Sequence, residues 1–123
     1  MSKIVQAINS MIANAGLLAN VVEGHNTRNG EEYFFCYKEK YIWSIYLRED
    51  GDYWVYYYPE AMSSAQAASI QDFSTYPTVA YGDNDLRSRE ARESVAELFM
   101  ILKGKLYDID AVLDDIINDD LIG

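Results

Sequence analysis

The sequence predicts an α+β fold: an antiparallel three- to four-stranded meander packed with an N-terminal helix and C-terminal helices, in one domain over residues 1–123. Three observations predict it. Apolar residues recur at helical spacing near the start of the chain. Aromatic and β-branched residues dominate 31–58, which also contains the hairpin dipeptide Asp50-Gly51. Helical spacing then returns in two segments on either side of Gly104.

At the start, Ile4, Ile8, Met11, Ile12, Ala15, Leu18 and Val22 fall on one helix side, with Gln6, Asn9, Asn14 and Asn20 mostly opposite. This spacing predicts a helix of about five turns, with Ser2 capping its start and Gly24 at its end. Gly16 weakens it internally. Residues 25–30 are polar and read as a loop.

Residues 31–58 read as three strands. A two-residue type I′ turn at Asp50-Gly51 opposes Leu47 to Trp54, Ile45 to Tyr56 and Trp43 to Tyr58. Those six then share one face. Ile42, Ser44, Tyr46, Arg48, Tyr53, Val55 and Tyr57 share the other. A two-residue loop at Glu39-Lys40 adds Phe34 and Cys36 to the tryptophan face, and Tyr33, Phe35 and Tyr37 to the tyrosine face. Pro59 closes the third strand because it cannot donate to a ladder. Residues 63–73 suit a short Ala-rich helix. Residues 76–81 are extended, since Pro77 disfavours helix at Tyr76, and they offer an edge strand. Gly82-Asp83-Asn84 reads as a turn and Asp85 as the cap of a helix carrying Leu86, Val95, Leu98, Phe99 and Leu102 up to Gly104. A last helix, capped by Asp108 or Asp110, carries Ile109, Val112, Leu113, Ile116 and Ile117.

The formal net charge is −10. Such a surface repels phosphate backbones and anionic lipid heads, so neither nucleic acid nor membrane is expected as a partner. A basic protein surface fits better, although solubility alone also accounts for the charge. The chain has one cysteine, Cys36, which can form no internal disulfide, and a cytoplasmic setting is expected. Ala13-Asn14-Ala15 has the look of a signal cleavage site. Gln6, Asn9 and Ser10 interrupt the apolar segment such a signal requires, so the stretch is read as part of the fold. No run approaches the ~20 apolar residues of a membrane span.

Eight of the eleven tyrosines lie between Tyr33 and Tyr58. With one sheet face packed on helices, Tyr33, Phe35, Tyr37, Tyr46, Tyr53 and Tyr57 remain for a face that is polar in an ordinary one-sided antiparallel sheet. Either helices cover this second face too, or it is a contact surface. Tyrosine, with its apolar body and wet hydroxyl, suits the second role. From Asp108 to Gly123 there are six aspartates and no basic residue. Asp114, Asp115, Asp119 and Asp120 are read as facing away from the apolar stripe, either as a solvated face or as one that meets a basic partner. The candidate partner-binding residues are therefore Tyr33, Tyr37, Tyr46, Tyr53, Tyr57, Asp114, Asp115 and Asp119. The aspartates do not form a calcium loop, because Leu113 stands where glycine is required. Arg87, Arg89 and Arg92 lie among Glu90, Glu93 and Glu97 and read as surface pairs.

Catalytic signals are weak. His25 and Cys36 are the single histidine and cysteine, and no catalytic pair is expected of them. No metal set, phosphate loop or nucleophile elbow is present, and no cofactor is expected. In element order and acidity the chain is similar to secretion chaperones and toxin-neutralising immunity proteins, with no motif that assigns a family. The expected function is a non-enzymatic protein-binding module of inhibitor, immunity-protein or chaperone type. It would act through the aromatic face and the acidic helix, by self-association or with another protein. The alternative is a small-ligand domain with a Trp/Tyr-lined pocket, with or without turnover.

Overall fold

The centre of the fold is an antiparallel meander in the order β1-β2-β3-β4-β5, seen in a computed structural model that describes residues 2–24, 30–70 and 75–122, with backbone only for 119–122. Its strands are β1 (Leu18–Glu23), β2 (Glu31–Tyr37), β3 (Tyr41–Leu47), β4 (Tyr53–Tyr57) and β5 (Val79–Tyr81). The helices are α1 (Lys3–Ala13), α2 (Ser64–Ala68), α3 (Arg89–Leu106) and α4 (Ile109–Ile122). The α+β class and the antiparallel meander are as expected, with five strands where three or four were predicted.

The additional strand comes from the predicted first helix. That helix ends at Ala13 rather than near Gly24. Asn14 leaves helical geometry at ψ 43, and both its backbone N–H and its side-chain Nδ2 donate to the Ser10 carbonyl. A short 3-10 turn over Ala15–Leu17 follows, and the chain then extends into β1. Leu18 and Val22 satisfy a helical period by position, but Val21 and Val22 are β-branched, and Val22 pairs with Phe34 of β2 instead. The β1–β2 ladder carries a bulge between Ala19 and Val22, with Asn20 at φ 55. The bulge leaves the Asn20 carbonyl to accept a hydrogen bond from Ser64 Oγ, at the first residue of α2.

Both hairpins differ from the predicted register by one residue. At Asp50-Gly51 only Gly51 has positive φ, at 94°, so a type I′ turn does not form. Gly51 N donates to Arg48 O at 3.0 Å, and Arg48 N to Asp52 O at 2.9 Å. The loop is thus Glu49–Gly51, and Leu47 opposes Tyr53, not Trp54. At the other hairpin Lys38 and Glu39 are both left-handed, Lys40 is an extra loop residue, and Tyr37 opposes Tyr41. Because the strand period is two, each one-residue slip turns a strand over. Trp43, Ile45 and Leu47 therefore share a face with Tyr33, Phe35, Tyr37, Tyr53, Val55 and Tyr57, not with Trp54, Tyr56 and Tyr58.

That face is covered by α1 and α3. Ile4, Val5, Ile8 and Met11 of α1, and Ala91, Val95, Leu98, Phe99 and Leu102 of α3, pack on Tyr33, Phe35, Ile45 and Val55 in the larger core. The other face carries Phe34, Cys36, Ile42 and Tyr58 under Ala67 and Ala68 of α2. The molecule is thus helices on sheet on helix, with two apolar layers.

Helix starts follow capping chemistry. Ser2, Ser63 and Ser88 accept from Val5, Gln66 and Ala91 backbone N–H groups respectively. Ser88, not Asp85, caps α3. Asp85 Oδ2 instead accepts from Gly82 N and tightens the preceding turn. Gly104 lies inside α3, which continues to Leu106. Asp108, at φ 50, then redirects the chain into α4.

Candidate functional site

The register decides what becomes of the predicted tyrosine surface. Tyr33, Phe35 and Tyr37 are buried beneath α1 and α3. Tyr33 packs on Phe99 with ring centroids 5.1 Å apart, and its hydroxyl donates to Glu31 Oε2 at 2.9 Å. The same Glu31 carboxylate pairs with Lys103 of α3 at 3.2 Å. The hydrogen bond from Tyr33, then that from Lys103, holds the Glu31 carboxyl below its usual range. Tyr53 and Tyr57 are half-buried on the same face, against Phe99 and Trp43. Tyr46 lies on the opposite face with Trp54 and Tyr56, all three half-buried. The five tyrosines thus form no common surface. Of the two arrangements the sequence allowed, the helices cover the face, and this holds for Tyr33 and Tyr37 in full.

The second layer holds a polar chain. Ser44 Oγ donates to Glu32 Oε2 at 2.7 Å and lies 2.8 Å from the Tyr58 hydroxyl. Burial pushes the Glu32 carboxyl above its usual range, against the opposing hydrogen bond from Ser44. It pushes the Tyr58 phenol up as well. Ser44 is fully buried and no substrate reaches its hydroxyl, so the chain ties β2, β3 and the end of β4 together. Cys36 is buried in this layer, and burial raises its thiol pKa, which leaves it little thiolate. His25 lies outside the described residues, and with it the expectation about a Cys36–His25 pair.

A Trp/Tyr-lined cleft exists between α1 and the β2–β3 hairpin, bounded by Ser10, Asn14, Tyr37, Lys38, Tyr41 and Trp43. It is shallow and open. The Trp43 indole nitrogen is fully buried without a hydrogen-bond partner, so it presents no donor to an occupant there. Among the described residues no group of three His, Cys, Asp or Glu side chains could hold a metal ion.

Among the described residues, five of the exposed large hydrophobic side chains lie together elsewhere, on α4. Ile109, Val112, Leu113, Ile116 and Ile117 of α4 are 46, 48, 50, 56 and 59% exposed. Spaced i, i+3, i+4, i+7 and i+8, they form one stripe along the helix. Every described residue of α4 is exposed, so the helix leaves the body with no layer over its apolar side. A groove at its root continues the surface. It is lined by Ala15, Gly16, Met100, Gly104, Tyr107 and Ile109, with Lys103 and Lys105 at its edge. Asp110, Asp114 and Asp115 are exposed on the same helix. Asp119 falls in its last turn, and its side chain lies outside the described residues. Along the chain the spacing shows only that one side of α4 is apolar. One sequence signal bears on its stability: Asp119 and Asp120 in the last turn, with no basic residue beside them, oppose the helix dipole.

Among the described residues no helix is long and apolar enough to cross a membrane. The chain matches no protein-family model, no curated protein and no solved structure.

Proposed function

We propose that this protein is a non-enzymatic, cytoplasmic protein-binding module whose recognition element is α4 together with the groove at its root. The observation that carries this is the stripe of five aliphatic side chains on α4, each about half exposed, beside a body whose two apolar layers are built without it. Scattered apolar residues are ordinary on a surface, but a contiguous row on a projecting helix is the anatomy of a contact site. An amphipathic helix that lays its apolar side against a partner's groove or helix is a recurrent mode of protein recognition. The buried thiol, the buried serine and the shallow aromatic cleft supply no comparable chemistry for turnover. An inhibitor, an immunity protein or a chaperone would each use such a helix.

Photo-crosslinking in the native cell tests the reading. A benzophenone amino acid at Val112 or Ile116 is expected to join the protein to another polypeptide, while the same group at exposed Glu60 is not. Absence of any adduct from both α4 positions, with the protein folded, would overturn it.

A further inference from the structure

We infer that the occupant of α4 is a basic amphipathic helix of a partner protein, seated along the aliphatic stripe with its lysines or arginines directed to Asp110, Asp114 and Asp115. The inference rests on the reading of α4 as a protein-binding element, and names the chemistry of what that element binds.

The stripe sets the shape. From Ile109 to Ile117 it runs about 12 Å along the helix, by a rise of 1.5 Å per residue. It ends in the groove beside Met100 and Tyr107. A surface this long and narrow matches about two turns of the apolar side of another helix better than a flat face.

Charge selects among possible helices. Asp110 borders the stripe, and Asp114 and Asp115 lie further round on its two sides, within reach of a long basic side chain. No basic residue occurs from Asp108 to the end of the chain, and the whole chain carries a formal −10. A second copy would bring an equally acidic helix against this one, so the contacts between the two sets of α4 aspartates would be repulsive. A basic helix makes each of them attractive. Membrane-surface helices flank their apolar side with lysine and arginine, whereas the aspartates of α4 repel anionic headgroups.

The electrostatics of α4 itself point the same way. Its last turn contains Asp119 and Asp120 and no basic residue, so these two charges face the negative end of the helix dipole. A helix of fourteen residues without a packed side is marginal in water. Cations brought by a partner relieve the charge conflict, and its apolar side supplies the missing packing. At the other end of the stripe the sign reverses. Lys105 is exposed, and Lys103 is engaged with Glu31. The partner helix is therefore basic over α4 and neutral or acidic where it meets the end of α3, which sets its direction.

The test uses the full chain and three synthetic helical peptides of about 18 residues, a length that spans the stripe. They share one leucine stripe and carry lysine, glutamine or glutamate at the flanking positions. Fluorescence anisotropy is expected to show the lysine peptide binding at least about tenfold tighter than the glutamine peptide, with the gap closing at high salt. The glutamate peptide should be weakest. The D110K/D114K/D115K variant should invert the order, and L113D/I116D should lose all three peptides while circular dichroism shows the body still folded. Equal affinity for the lysine and glutamine peptides would overturn the inference. So would a concentration-dependent dimer in sedimentation that L113D/I116D abolishes, which assigns the surface to a second copy. Preferential uptake onto phosphatidylcholine or phosphatidylserine vesicles would assign it to a membrane and overturn it likewise. Crosslinks from Val112 or Ile116 in cells, without a preference for the lysine peptide, would remove this inference and leave the protein-binding reading. Absence of both would remove the two together.

Discussion

Glu32 shows how a single side chain can work against the fold that contains it. Its carboxyl sits beside buried Ser44 and the end of β4, and burial raises its pKa above the reference of 4.5. The folded state therefore holds the Glu32 proton more tightly than the unfolded chain. The resulting stability is complete below about 4.5, the unfolded value, and is lost as pH rises through the folded pKa. Glu32→Gln keeps an acceptor for Ser44 and removes the charge. Its melting temperature is expected to exceed that of the wild type at pH 7, with the difference shrinking toward pH 4. A difference independent of pH in thermal melts would contradict this. Cys36, buried with a raised thiol pKa, should react with Ellman's reagent slowly in the native protein and rapidly in denaturant. At this scale the sequence was legible for Cys36, whose place in an aromatic strand reads as a small buried hydrophobe. It was illegible for Glu32, because alternation from the strand ends does not reveal which face a polar residue enters once the register has moved.

The elements themselves were mostly visible, and the errors have physical causes. Strand character over 31–58 and the cap Ser2 follow from composition and side-chain chemistry. The register failed at both hairpins because dihedral preference was assigned to the wrong turn. The pair of left-handed residues occurs at Lys38-Glu39, where neither residue favours it, while Asp50-Gly51 uses a single left-handed glycine. Two measurable consequences follow. Gly51→Ala forces a Cβ into φ 94 and should cost about 1–2 kcal/mol. Replacing Lys38-Glu39 by Asn-Gly should stabilise the protein by about 1 kcal/mol in urea unfolding, because it relieves two left-handed side-chain residues. The predicted five-turn helix failed for another reason. Leu18 and Val22 fit a period of 3.6, but pairing with β2 satisfies a whole row of backbone groups, and that outweighs a local pattern through a helix weakened by Gly16. The candidate site was the least legible part. Whether helices cover the tyrosine face was open in the sequence, and so was what packs on the α4 stripe. Helical periodicity reports that one side is apolar, and contains nothing about whether a partner for that side lies in the same chain.

At the scale of the molecule, α1 and α3 cover one sheet face, α2 covers the β1–β3 part of the other, and α4 covers neither. The consequence for stability is a sharp contrast between two leucines. Leu102→Ala opens a cavity beneath α3 and should cost about 2–5 kcal/mol. Leu113→Ala, on the exposed stripe, should stay within about 0.5 kcal/mol in the isolated protein. Chemical denaturation of the two variants checks this, and a large loss at Leu113 would mean that α4 packs on the body in solution.

The slipped registers also separate the two tryptophans. Trp43 lies against Tyr57 in the layer under α1 and α3. Trp54 lies on the reverse face, stacked on Tyr56, and its ring closes over Gly82 so tightly that any Cβ there would overlap it. Each layer thus contains its own optical reporter, and the sheet stands between them as a partition. Single-tryptophan proteins made with Trp43→Phe or Trp54→Phe can follow the two halves of the core independently during refolding. Identical time courses would mean that both layers close in one event. An early Trp43 signal followed by a later Trp54 signal would mean that the sheet first docks on the long helices and only then receives α2, the five-residue helix held at its start by the bulge at Asn20.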